Sequence, residues 1–415
     1  MTKLAIQGGP RAIEGTLPSF RDSSGRTFGA AERKHLLEVI DSGRLSFLTG
    51  SKCREFEQRW AELYGVKTAV AVSSGTAALH VAVTCVNPEP GDEIIVSPIT
   101  DIGSIIPVIA QLSVPVFADI DPITQNICPA SIERNITVRT RAIMVTHIYG
   151  HPADMDAIMA IAIKHNLLVI EDCAQAHLAY YKGKLCGTIG DIGCFSFQQS
   201  KHMTTGDGGM VISNNEGFNG RALRLCADKG WPRDAGGRDH LFLALNYHMT
   251  ELQAAVGLGQ LDQLQSFVEA RIQSADRLTE LLKDTPVTPV LPSVDTTGVY
   301  FFYSFRVDPA KLSVPMTTFM EALTTEGIDG FIGYPGRTPI YRYPVIRDHK
   351  TFGSSGWPFT LDNARQDDFS AELCPEAERA CRETVCMWWT DRFEDHHLHQ
   401  IAKAISKVCE AYLKG

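Results

Sequence analysis

The amino-acid sequence predicts an α/β protein, with a largely parallel sheet covered by helices on both faces and a smaller unit after it. Three observations predict this. Short apolar runs recur at 68–72, 94–96, 116–117, 142–145 and 167–170. Segments of helical apolar spacing, such as 77–86 and 154–165, separate most of them, and strands alternating with helices build parallel sheets buried on both faces. A long helical pattern over 249–282, with Leu252, Ala255, Val256, Leu261, Leu264 and Val268 in phase, then reads as the link to the smaller unit.

In chain order, residues 1–27 form a Gly- and Pro-rich arm, followed by an amphipathic helix near 30–42 and a second helix over 55–64 that ends at Gly65. The strand at 68–72 breaks into the tight turn Ser73-Ser74-Gly75-Thr76, and a helix follows at once. The later apolar runs repeat that scheme as far as Ile170. Residues 192–197 read as another buried strand, then a polar turn carries Lys201, a glycine-rich loop follows, and 210–212 returns as a strand. Gly, Pro and Tyr are frequent over 325–360, which suits an ordered but irregular wall over a site. The expected division is a large domain over 1–262 and a smaller one over 263–415.

Composition narrows the partners. The 415 residues are 44% hydrophobic and 21% charged, ordinary for a globular chain with a sizeable core. A formal charge of −9 argues against nucleic acid or an anionic membrane as partner. No run approaches the ~18 apolar residues of a membrane span, and the start lacks the apolar core of a signal peptide. Eleven cysteines with no CxxC pair read as reduced, mostly buried thiols. The expected compartment is therefore the cytoplasm.

Chemistry follows from where polar residues fall on the sheet, since ligands of open parallel sheets sit at the carboxyl ends of the strands. Ser74-Gly75-Thr76 lies at one such end and opens a helix, where free backbone amides bind phosphate; a plain helix cap is the alternative. Glu171-Asp172 follows another strand directly, and a carboxylate there needs a partner because a buried unpaired acid costs several kcal/mol. Lys201 sits on a turn between two buried strands, where burial lowers an amine's pKa and makes it nucleophilic; a surface lysine in a β-turn is the alternative. Together, a phosphate cradle, an acid and a lysine in that order are the set that pyridoxal 5′-phosphate requires. The lysine forms the Schiff base, and the acid keeps the ring nitrogen protonated so that the ring accepts electrons.

Around these positions the chain resembles the DegT/StrS family of pyridoxal-phosphate aminotransferases. The resemblance is carried by Ser-Ser-Gly-Thr-Ala-Ala-Leu (73–79), Glu-Asp-Cys-Ala-Gln-Ala-His (171–177), Phe-Ser-Phe-Gln-Gln-Ser-Lys (195–201), Thr-Gly-Asp-Gly-Gly (205–209) and Asn-Tyr-His-Met-Thr-Glu-Leu-Gln-Ala-Ala (246–255). The opening Leu-Ala-Ile-Gln-Gly-Gly-Pro, with Ile-Tyr-Arg (340–342) and Cys-Met-Trp (386–388), is most similar to the cyclitol and aminohydroxybenzoate branch. The resemblance implies the type I aspartate aminotransferase fold, with a three-layer αβα large domain that binds the cofactor and a smaller α+β C-terminal domain. It also implies ping-pong transfer of an amino group from an amino acid, glutamate or glutamine, to a keto-sugar or keto-cyclitol.

By the same resemblance, Lys201 would hold the cofactor and act as base of the 1,3-proton shift, and Asp172 would pair with the ring nitrogen. Gln175 would touch the phenolic oxygen, while Ser74, Gly75, Thr76 and Ser196 would bind the phosphate. Asn246 would reach the phosphate of the neighbouring subunit, making the working unit a homodimer. The chain departs from the family at Asp101, which stands in Pro98-Ile99-Thr100-Asp101 where an aromatic residue usually stacks on the ring. Asp101 is accordingly expected to border the cofactor; either another residue covers that face of the ring, or Asp101 meets a polar or basic group of the substrate. Position 248 is His where Arg is common, and Thr390-Asp391 stands where the cyclitol branch tends to have His.

Two other readings of the family chemistry compete. Relatives that remove a sugar hydroxyl typically have histidine where this chain has Lys201, whereas the aromatising dehydratases keep the lysine. A non-catalytic, cofactor-binding regulator is the third. Metal is not expected: Asp172, Cys173 and His177 could be drawn as ligands, but the resemblance employs Asp172 elsewhere. His396, His397 and His399 read as the solvated start of the last helix.

Overall fold

A computed structural model describes residues 3–413, so the outermost residues of the expected domains, 1–2 and 414–415, lie outside the described residues. Seven strands form the main sheet: β1 (Thr68–Val72), β2 (Glu93–Val96), β3 (Val114–Phe117), β4 (Thr140–Thr146), β5 (Leu168–Asp172), β6 (Ile192–Ser196) and β7 (Gly209–Ser213). Their order is β1-β7-β6-β5-β4-β2-β3. All neighbours are parallel except β7, which runs antiparallel to both β1 and β6. The apolar runs are the centres of these strands. In β5 the strand continues through Glu171 and Asp172, so the acids belong to the sheet's last register positions, with Asp172 opposite Thr146.

Side chains alternate across the strands, as the pleat requires. Val70, Val72, Ile94 and Val96 point to one core, and Ala71, Ile95, Val116 and Ile143 to the other. Helices cover both faces: α1 (Ala30–Ser42), α2 (Lys52–Tyr64), α3 (Gly75–Val86), α4 (Met155–His165), α5 (Gly220–Ala227) and α6 (Glu251–Leu261). Helix α3 starts where the Ser74 hydroxyl accepts the Ala77 N–H at 3.0 Å, and Gly65 ends α2 in the left-handed region at φ 63°. Trp60 of α2 is fully buried and packs edge-on against Phe195 and Phe197, with ring centroids 5.2 and 5.0 Å away. Phe195 lies in β6 and Phe197 just beyond it, so this packing fixes the strand end that leads to Lys201.

The predicted helix over 249–282 is two helices, α6 and α7 (Leu264–Leu281), separated by a turn at Asp262 and Gln263. The interruption is held from outside: the Gln260 amide donates to the Thr27 carbonyl and to Glu32, and Arg59 donates to Asp262. Beyond α7, strands 302–306, 330–332 and 384–388, with the short 288–289, form a four-stranded antiparallel sheet. Helix α8 (Asp395–Tyr412) packs on it through Leu398, Ile401 and Ile405. The stretch 325–360 is less irregular than expected, since it contributes the 330–332 strand and the short helix Pro344–Arg347. No helix among the described residues is long and apolar enough to cross a membrane.

Candidate active site

A cavity of about 430 Å³ opens at the carboxyl ends of the central strands. Ser74, Gly75 and Thr76 enter it from the start of α3, Asp172 from the end of β5, and Ser196 from the end of β6. Asp101 and Ser104 enter from the segment after β2. The small sheet closes the opposite side with Phe301, Phe302 and Trp388, joined by Tyr334.

Lys201 is delivered by a built turn. Gln198 accepts from both the backbone N–H and the hydroxyl of Ser200, at 2.8 and 2.7 Å, and the Lys201 N–H donates to the Gln198 carbonyl at 2.9 Å. Below it, Phe197 N–H bonds the Gly208 carbonyl and Thr205 N–H bonds the Phe197 carbonyl. Gly206, at φ 85°, makes the left-handed bend that closes this hairpin. The Lys201 amine stands 4.2 Å over the Phe301 ring. Burial pushes its pKa down, while the charges of Asp172 and then Asp101 pull it back up.

Asp172 is buried and fully engaged. One carboxylate oxygen accepts the Ser104 hydroxyl at 2.7 Å and the other the Ala174 N–H at 3.1 Å. Because Ser104 spends its proton on the carboxylate, the Thr100 hydroxyl must donate to Ser104, and Thr146 then donates to Thr100. Burial raises the Asp172 pKa; the bonds from Ser104 and Ala174 and the charge of Lys201 lower it in part. The carboxylate that borders the cavity is thus held by Ser104, with Thr100 and Thr146 in line behind it.

The cradle for an anion is equally specific. A Cβ on Gly75 would lie 2.6 Å from the Ser196 Cβ, so only glycine lets the first turn of α3 approach the end of β6. There the free amides of the helix start and the hydroxyls of Thr76 and Ser196 face one space. These residues fit pyridoxal phosphate: neutral donors for its phosphate, an anion for its ring nitrogen and an amine of lowered pKa for its aldehyde.

The sequence-predicted residues separate into two groups. Ser74, Gly75, Thr76, Asp101, Asp172, Ser196 and Lys201 meet in the cavity. Gln175 does not line it; its side-chain oxygen accepts the Tyr149 N–H at 2.8 Å. Asn246 is exposed outside it, and its side chain accepts the His248 N–H. His248 itself pairs with Asp228 at 2.9 Å. Sequence reasoning missed Ser104, Gln198, Phe301 and Phe302, although the aromatic run Tyr300–Tyr303 was a visible signal; Tyr334 falls in the 325–360 stretch read as a wall, and Asp207 in the glycine-rich loop after Lys201. Trp388, the last residue of the Cys-Met-Trp match, forms part of the wall.

The residues that could be drawn as metal ligands make other contacts. His177 meets His202, Nδ1 to Nδ1 at 3.2 Å, instead of joining Asp172 and Cys173. His147, Glu171 and Cys173 do place ligand atoms within 4.8 Å of one another. Glu171, however, already accepts the His147 ring N–H and the N–H groups of Gly187, Ile189 and Gly190, while His147 Nδ1 accepts from Ala153. That carboxylate orders the loop before β6.

A sheet of this order with a lysine, an acid and a helix start at its carboxyl edge defines a pyridoxal-phosphate enzyme of the type I fold. The sequence profile of the DegT/DnrJ/EryC1/StrS aminotransferase family matches residues 27–366, and the chain belongs to that family. It is 35% identical over 373 residues to a putative L-glutamine:3-amino-2,3-dideoxy-scyllo-inosose aminotransferase of Streptoalloteichus tenebrarius, covering 87% of this chain and 86% of that one. It is 39% identical over 278 residues to a GDP-perosamine synthase of Caulobacter vibrioides, covering 66% and 74%. The crystal structure of 3-amino-5-hydroxybenzoic acid synthase superposes with a TM-score of 0.82 at 27% identity, over 93% of this chain and 97% of that one. The protein is thus an aminotransferase with pyridoxal phosphate as its cofactor.

Proposed function

We propose that the enzyme moves an amino group from L-glutamate or L-glutamine to a keto-sugar or keto-cyclitol, with Lys201 as the covalent anchor and proton carrier. The observation that carries this reading is the meeting of Lys201, Asp172 and the start of α3 in one cavity. When bound, pyridoxal phosphate supplies an electron sink for breaking the donor's Cα–H bond. The Asp172 carboxylate holds a proton on the ring nitrogen, and the hydroxyl chain behind it keeps the anion in position. The Lys201 amine, lowered by burial, takes the proton from Cα, a positioned transfer worth roughly 10²–10⁴ in rate. Ser74, Gly75, Thr76 and Ser196 would bind the phosphate, and the Gln175 side-chain NH2 group would serve the phenolic oxygen while its oxygen keeps the Tyr149 N–H. Names of the relatives favour a cyclitol or a sugar as acceptor and glutamine as donor.

The same reading takes the working unit as a homodimer in which Asn246 serves the neighbouring subunit's site. Its support is an exposed apolar run, Leu241, Phe242, Leu243 and Leu245, directly before Asn246; Leu243 is 85% exposed. The domain division at 262/263 falls in the turn between α6 and α7, and the cytoplasm remains the proposed compartment.

Borohydride reduction and digestion of the holoenzyme should place the cofactor's mass on Lys201 alone. Lys201→Ala should lose turnover by at least about 10³-fold while still binding the cofactor through its phosphate. Label on another side chain, or turnover in that variant, would overturn the assignment. The likeness to 3-amino-5-hydroxybenzoic acid synthase favours aromatising dehydration as a second reading. Mass spectrometry of products from candidate ketones separates the two: an aminated ketone supports transfer, and a dehydrated aromatic product supports the second. No product from a donor and ketone panel would support the regulatory reading.

A further inference from the structure

The sulfurs of Cys85 and Cys226 lie 2.9 Å apart, and no other two cysteine sulfurs among the described residues share such a contact. Cys85 is half-buried near the end of α3, and Cys226 is buried near the end of α5. A separate cavity of about 330 Å³ reaches both sulfurs, walled by Asn87, Phe218, Leu225 and Phe242. A disulfide needs about 2.05 Å between sulfurs, so less than about 1 Å of side-chain movement joins them.

We propose that Cys85 and Cys226 are a redox-active dithiol that closes to a disulfide. A peroxide entering the cavity supplies the oxidant. One thiolate attacks a peroxide oxygen, breaking the O–O bond and forming a sulfenic acid; the hydroxide that leaves takes up the proton the thiol gave and becomes water. The second sulfur displaces hydroxide from that sulfenic sulfur. Two thiols and one hydrogen peroxide thereby give one disulfide and two waters, and a dithiol reductant reverses the change. The Cys85 thiol is pushed up by its contact with Cys226 and then by burial, so closure speeds up as pH rises.

The bond would tie α3, whose first turn holds Gly75 and Thr76, to α5 at the root of the 229–246 arch. Asp228 anchors that arch to Lys229, Arg233 and His248, and Phe242 of the arch covers the cysteines. A link between residues so distant in sequence restricts the unfolded chain strongly.

Holoenzyme treated with hydrogen peroxide, alkylated and digested without reductant should yield one peptide pair joined through Cys85 and Cys226, two hydrogens lighter than the separate peptides. Dithiothreitol should release it, and the oxidised protein should melt at a higher temperature than the reduced. Cys85→Ser and Cys226→Ser should each lose both the cross-link and the melting shift. Recovery of the two cysteines singly alkylated or singly oxidised would overturn the proposal, as would a cross-link between other cysteines. A Cys85–Cys226 link without a melting shift would overturn its stapling role. Should one serine variant fail to fold, the wild-type peptide map still decides.

Discussion

Asp101 is the residue that most sets this site apart. Its side chain is fixed by the Gly103 N–H at 2.8 Å, it pairs with no cation among the described residues, and its charge raises the Lys201 pKa. Removing that charge in Asp101→Asn leaves burial less opposed, so the Lys201 pKa falls further. Capture of pyridoxal phosphate by apoenzyme, which needs the neutral amine, should therefore reach its half-maximal rate at lower pH than in wild type. An unchanged or higher midpoint would separate Asp101 from the lysine. Asp101 is also placed to meet a polar or basic group of the acceptor. On that reading Asp101→Phe raises the acceptor's KM by about tenfold, near 1.4 kcal/mol, and wild-type acceptor kinetics would refute it. Lys201, Asp172 and Ser74–Thr76 were legible in the sequence because each lies in a contiguous strand-to-turn pattern whose chemistry is local. Ser104 and the wall residues Phe301 and Phe302 were not. Each is an unremarked side chain that acquires meaning only when the small sheet folds over the large one.

Among the elements, α3 depends on a contact that no side chain permits. Gly75→Ala would place a Cβ 2.6 Å from a strand-anchored Ser196 Cβ, and the helix start would have to lift off β6. The expected cost is about 1–3 kcal/mol in stability, with cofactor affinity at least about tenfold weaker as the amides leave their aim. Chemical unfolding and cofactor titration would measure both, and wild-type values in both would show that the approach is not required. Strand centres were legible at this scale because buried parallel strands are nearly all apolar. The strand ends were not, since Glu171 and Asp172 extend β5 with charged residues that only the fold can satisfy. The break between α6 and α7 carries no Gly or Pro, and its cause lies in Thr27, Glu32 and Arg59, far away along the chain.

The whole molecule presents one feature that a single chain leaves unused: Asn246, solvent-exposed after the apolar run 241–245. In its own protomer Asn246 is not among the residues lining the cavity; its side chain accepts the His248 N–H and its backbone bridges Asp228. Closed two-fold dimers offer another route, because each surface that one copy gives it also receives. Hybrid dimers test this directly. A Lys201→Ala protomer keeps Asn246, and an Asn246→Ala protomer keeps Lys201. If Asn246 acts across the interface, a mixed dimer contains one complete site, made of the second protomer's lysine and the first protomer's asparagine. Random reassortment makes half the dimers mixed with one working site each, so about a quarter of wild-type activity returns from two impaired parents. If Asn246 acts within its own subunit, both sites of the mixed dimer are defective, and mixing yields only the mean of the parents.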